Sequence, residues 1–123
     1  MPEKIMIVED EPDILKVTAF RINKAGYETV LAKDGREALD KAAEEKPDLI
    51  LLDYRIPVLD GAEVFVELRK DPDLSGIPVL FLTASRGNED LLVKMEQIGA
   101  EHCMIKPFDP EELMAKIKEL LKG

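Results

Sequence analysis

Five short apolar runs punctuate the chain: Ile5 to Val8, Thr29 to Ala32, Leu49 to Leu52, Val79 to Leu82 and Cys103 to Ile105. They carry β-branched or aromatic members and do not alternate with polar residues, which suits strands covered on both faces. Between the runs, apolar positions recur at helical spacing. Leu15, Thr18, Ala19 and Ile22 share one face, as do Ala38, Leu39, Ala42 and Ala43. The same holds for Val64, Phe65 and Leu68, for Leu91, Met95 and Ile98, and for Leu113, Ile117 and Leu120.

Start and stop signals fall between these segments. Asp34-x-x-Glu37, Asp60-x-x-Glu63 and Asp109-Pro110-x-Glu112 each have the spacing of a capping box, in which a side-chain oxygen accepts from backbone N–H groups that the first helical turn leaves unpaired. Gly26 and Gly99 sit where left-handed helix C-caps belong, and Pro47 stops the second helix before the third strand. Five strand–helix units in a row predict a parallel sheet with right-handed crossovers and helices on both faces. In such sheets ligands bind outside the carboxyl ends of the strands, where the strand order reverses.

Bulk properties narrow the class. At 123 residues the chain has the length of one domain, residues 1–123, and no apolar run approaches the ~20 residues of a membrane span. The N-terminus MPEKIMIVED has too short an apolar stretch for a signal peptide, and a single cysteine, Cys103, cannot form an internal disulfide. A cytoplasmic location is therefore expected. The net charge of −9 repels phosphate backbones, so nucleic acid is not an expected partner of this domain.

The residues after the apolar runs then stand out: Glu9, Asp10 and Glu11 after the first, Asp53 after the third, Thr83 after the fourth and Lys106 after the fifth. Singly, each has a plainer explanation, as a solvated loop, a turn residue, an N-cap or a surface lysine. Jointly, carboxylates, a hydroxyl and an ammonium on one sheet edge suit phosphoryl transfer onto a carboxylate. Crowded carboxylates repel, and a hard cation such as Mg²⁺ relieves that while accepting phosphoryl oxygens. Asp53 then acts as nucleophile, with Thr83 and Lys106 answering the charge that develops on the transferred group.

With the acidic cluster in IMIVEDE, LILLDYRIPVLDG, VLFLTAS and MIKPF, the whole chain resembles the receiver domains of two-component response regulators, close in plan to the single-domain chemotaxis regulator. The resemblance implies an α/β fold, a doubly wound (βα)5 flavodoxin-like three-layer sandwich with a five-stranded parallel sheet in the order 2-1-3-4-5. It implies a phosphorylation-controlled switch, not an enzyme in the ordinary sense. Asp53 is the phosphoacceptor, and a sensor histidine kinase or phosphotransfer protein is the donor. Mg²⁺ is held by Asp10, Asp53 and the backbone carbonyl of Arg55, with Glu9 acting through a metal-bound water. The Lys106-Pro107 peptide is expected to be cis, and Pro57 and Gly61 to shape the loop after Asp53. The fourth helix, fifth strand and fifth helix form the expected partner face, in a monomer or a phosphorylation-linked dimer with no membrane contact.

Two positions depart from the family pattern. Glu9 replaces the first of the usual aspartates, and Cys103 stands where a Tyr or Phe usually swings inward on activation. Cys103 is expected to be a small core residue, and the lone His102 to carry no metal. The main competing reading is a pseudo-receiver, a binding module with this fold and no phosphorylation. Dehalogenase-type phosphatases need a second Asp where Arg55 stands, and EDEPD after the first strand repels the phosphate that flavodoxins bind.

Overall fold

The computed structural model describes residues 2–54, 56, 58–83, 93, 96–97, 99–100, 102–106 and 109–122. The five predicted strands form, each extended by one residue at one end: β1 (Lys4–Val8), β2 (Glu28–Ala32), β3 (Leu49–Asp53), β4 (Val79–Thr83) and β5 (His102–Ile105). Every pairing is parallel and the order is β2-β1-β3-β4-β5, as expected. The order reverses between β1 and β3, so the ends of those two strands, at Glu9 and Asp53, flank the point where such sheets bind ligands.

Helices α1 (Pro12–Lys24), α2 (Gly35–Glu45), α3 (Gly61–Lys70) and α4 (Pro110–Leu121) cover the sheet. On one face, Ala38 and Ala42 of α2 and Val64, Phe65 and Leu68 of α3 pack against Met6, Ile50, Leu52 and Phe81. On the other, Ala19 and Ile22 of α1 and Leu113 and Ile117 of α4 pack against Ile5, Ile7, Leu49 and Leu51. Successive side chains of one strand therefore enter different cores, which is why β3 and β4 tolerate no polar alternation. The helix expected over Leu91 to Ile98 lies mostly outside the described residues, of which Val93, Glu96 and Gln97 are helical.

The caps follow chemistry more closely than spacing. Asp34 accepts from the Glu37 N–H at 2.8 Å, and Asp60 and Glu63 form a complete reciprocal box at 2.9 and 3.3 Å. Asp109 does not: its side chain makes no capping hydrogen bond, and Pro110 at the first helical position removes one of the donors that would need it. Gly26 and Gly99 adopt the left-handed backbone expected of them, with φ of 102° and 85°. At the end of α2 the left-handed cap is Lys46, one residue before Pro47.

Candidate functional site

Asp53 is the last residue of β3, a strand buried on both faces up to that point, so its carboxylate emerges where the core ends. Its neighbour β1 ends at Val8, and Glu9 continues the ladder by donating its N–H to the Ala32 carbonyl at 3.0 Å. That bond holds Glu9 down against the sheet, where it is 6% exposed, whereas the next residue, Asp10, is exposed. On the other side β4 ends at the buried Thr83, whose carbonyl accepts from the Lys106 N–H at 2.6 Å. This backbone bond carries the β4–β5 ladder one residue further and holds Lys106 beside the site.

The side chains converge. Lys106 Nζ lies 3.0 Å from Asp53 Oδ2 and 3.9 Å from Glu9 Oε2. Glu9 bears the electrostatic burden of this packing. Burial, then a hydrogen bond with Asp53 and the charge of Asp53, and last the charge of Asp10 push its carboxyl up to about 8, against the opposing pull of Lys106. A buried and a partly buried carboxyl share one ammonium, and Glu9 is pushed toward keeping its proton near neutral pH. The structure thus brings Glu9, Asp53 and Lys106 into contact, sets Thr83 at the adjoining strand end and leaves Asp10 at the solvent side. The Arg55 carbonyl, Pro57 and the Lys106-Pro107 peptide lie outside the described residues.

Among the described residues no three His, Cys, Asp or Glu side chains gather closely enough to enclose an ion. Mg²⁺ is commonly held by one or two carboxylates and keeps several waters. Glu9 and Asp53, hard oxygen donors crowded to the point that one is protonated, fit that sparse mode of binding and would exchange the proton for the cation.

The loop from β3 to α3 is pinned beside the acceptor. Tyr54 donates its N–H to the Leu82 carbonyl, and Gly61 donates to the Tyr54 carbonyl at 2.8 Å. A Cβ on Gly61 would meet Tyr54 Cα at 2.8 Å and the Asp53 carbonyl oxygen at 2.9 Å, so only glycine allows this closure. Gly35 is just as tight against the same loop, where a Cβ would lie 2.5 Å from the Leu59 carbonyl oxygen. Val58, at the crest, has φ of 74°, a left-handed conformation that costs a β-branched residue on the order of 1–3 kcal/mol.

Three features escaped the sequence reading. Cys103 is not a core residue: β5 has one paired neighbour, its burial alternates, and Cys103 lies on the exposed side with its thiol pushed up by partial burial. The outer face of α1 is apolar, with Ile14, Val17 and Phe20 all exposed. Their spacing of three residues was a legible signal for a second apolar stripe on a helix already buried through its first. The third is Val58, whose strain no pattern of hydrophobicity encodes.

The response regulator receiver domain family matches residues 5–118. The chain belongs to that family. It is 42% identical over 122 residues to the alkaline phosphatase synthesis transcriptional regulatory protein PhoP of Bacillus subtilis, covering 99% of this chain and 50% of that protein. Among solved structures, it is 32% identical to the chemotaxis response regulator CheY4 of Vibrio cholerae, with a TM-score of 0.89 over 98% of this chain and 99% of the other. It is 30% identical to the BeF3-activated N-terminal receiver domain of Klebsiella pneumoniae RstA, with a TM-score of 0.88 over 98% and 99% of the two chains.

This receiver domain is accordingly a two-component signalling module, of a kind that works with histidine kinases or phosphotransfer proteins and is not an enzyme of the ordinary sort. The chain spans about half the length of the curated relatives it matches. Those relatives are named as transcriptional regulators, which stands against the expectation that nucleic acid is not a partner of this domain. That expectation drew only on the charge of this domain. Among the described residues no helix is long and apolar enough to cross a membrane.

Proposed function

We propose that this receiver accepts a phosphoryl group on Asp53 from the phosphohistidine of a sensor kinase or phosphotransfer protein, and thereby switches a partner-binding face. The observation that carries the reading is the Lys106 ammonium 3.0 Å from Asp53 Oδ2, with the carboxyl of Glu9 beside both. An Asp53 oxygen attacks phosphorus, the new O–P bond forms as the N–P bond of the donor breaks, and the imidazole leaves. Charge spreads over the equatorial phosphoryl oxygens as this happens. Lys106 is already aimed at the site of that charge, and the Thr83 hydroxyl is the nearest candidate donor on the adjoining strand.

Glu9, Asp10, Asp53 and the Arg55 carbonyl are the residues that would hold Mg²⁺, which supplies charge neutralisation at the transferred group when bound. On this reading Lys106 leaves Asp53 for the phosphoryl oxygens. Because its N–H is bonded to the Thr83 carbonyl, the two strand ends feel the change together.

Two surfaces suit partners. On the expected face, Cys103 and Ile105 of β5 are exposed, as is Val93 in the fourth helical segment. On the other side, Ile14, Val17 and Phe20 run down α1 from the site edge, beside a groove of about 1030 Å³ shared with α4. Lys16, Arg21, Lys24 and Lys118 line that groove in a chain of net charge −9. Against the single carboxylate of Glu111 in the same lining, this excess of cations favours an acidic, amphipathic donor surface there.

Incubation with acetyl phosphate and Mg²⁺ followed by mass spectrometry tests the chemistry. One added phosphoryl mass is expected, labile in alkali and absent from Asp53→Ala. A label that persists in Asp53→Ala refutes the assignment, and no label at all favours a pseudo-receiver.

A further inference from the structure

Val58 is accounted for neither by the backbone nor by the core. Its φ of 74° suits glycine or asparagine far better than a β-branched residue. Packing offers no compensation, since at 73% exposure it is the most exposed large apolar residue described. The other left-handed non-glycine residue among those described, Lys46, needs no such explanation: it caps α2, and its long side chain reaches water.

Nor is the loop free to withdraw Val58. Its ends are closed by the Gly61 to Tyr54 hydrogen bond, Leu59 packs against the α2–α3 core, and Asp60 is committed to capping α3. An apolar side chain is therefore held in solvent at the carboxyl edge of the sheet, five residues past Asp53. Strain kept where nothing inside the fold uses it points to use from outside. Whatever delivers a phosphoryl group in line onto Asp53 must cover this edge.

We propose that Val58 is a specificity-determining contact for the protein phosphodonor, packing against the apolar surface that flanks the donor's phosphohistidine. The inference rests on Asp53 being the acceptor. A small donor such as acetyl phosphate has no such surface and gains nothing from the contact.

The test uses Val58→Asn, which relieves the backbone and removes the apolar surface, and Val58→Met, which keeps the surface without β-branching. Melting temperature, labelling by acetyl phosphate, and transfer from a panel of purified, autophosphorylated sensor kinases are compared with wild type. Val58→Asn should melt several degrees higher, label with acetyl phosphate within about twofold of wild type, and receive phosphate from kinases roughly fivefold to tenfold more slowly. Val58→Met should restore transfer to within about twofold. The proposal is overturned if Val58→Asn matches wild type with every kinase that labels it, if Val58→Met is as slow as Val58→Asn, or if acetyl phosphate labels the wild type and no kinase does. Failure of acetyl phosphate to label Asp53 would strike the acceptor reading instead.

Discussion

Strand β3 ends in a charged residue of the site and β5 is followed directly by one, yet the two are built differently. Leu49 to Leu52 of β3 are buried and paired on both sides, between β1 and β4. Along β5 partly buried and exposed residues alternate, and among the described residues the strand pairs only with β4. Asp53 is thus anchored to a strand buried and paired on both sides, while its counter-ion Lys106 follows an edge strand. The acceptor needs a fixed position for in-line transfer. The counter-ion needs freedom to change partner, and it follows a strand paired on one side.

The contrast can be broken by stability measurements. Leu51→Ala in β3 is expected to lose about 2–5 kcal/mol of unfolding free energy in urea titration, the range for a fully buried leucine, whereas a loss under 1 kcal/mol would mean that β3 is no more rigid than the edge. Next in size is Lys106→Ala, which should still acquire phosphate, with an amide-exchange response on phosphorylation clearly smaller than that of wild type. Equal responses would show that the ammonium does not carry the signal.

Glu9→Gln sharpens the electrostatic side of the comparison. The Glu9 carboxyl lies at about 8 in the fold against an ordinary 4.5, so between those values the folded chain holds a proton that the unfolded chain has released. Stability from this group is complete below pH 4.5 and is lost as the pH rises through 8. The glutamine variant should therefore melt higher than wild type at pH 8 and lose this segment of the pH dependence. Added Mg²⁺ should narrow the gap by stabilising wild type more. A wild-type melting temperature flat from pH 5 to 8 would contradict the crowding described at the site. The smallest effect is expected for Ile105→Ser, within about 1 kcal/mol of wild type in the same titration, because its side chain is partly exposed on an edge strand.

The difference between the strands also explains what was legible in advance. Runs such as LILL and VLFL admit few environments other than a strand covered twice, and their ends led directly to Glu9, Asp53 and Thr83. The three-residue run Cys103 to Ile105 carries too little pattern to distinguish a buried strand from an edge strand, so Cys103 was misplaced. Asp109 misled because spacing reveals a possible capper and not whether the neighbouring proline has removed the need. The 3.0 Å pairing of Lys106 with Asp53 depends on the β4–β5 register, which no single segment encodes.

Gly61 carries one more consequence. Because the carbonyl of Asp53 itself forms part of the wall against which Gly61 rests, any side chain at 61 would push on the acceptor's own peptide. In a saturation library selected for signalling, position 61 should be as intolerant as position 53, although it has no atom that reacts. A residue with nothing to contribute chemically would register as indispensable, and a screen read without the structure would count it among the reactive groups.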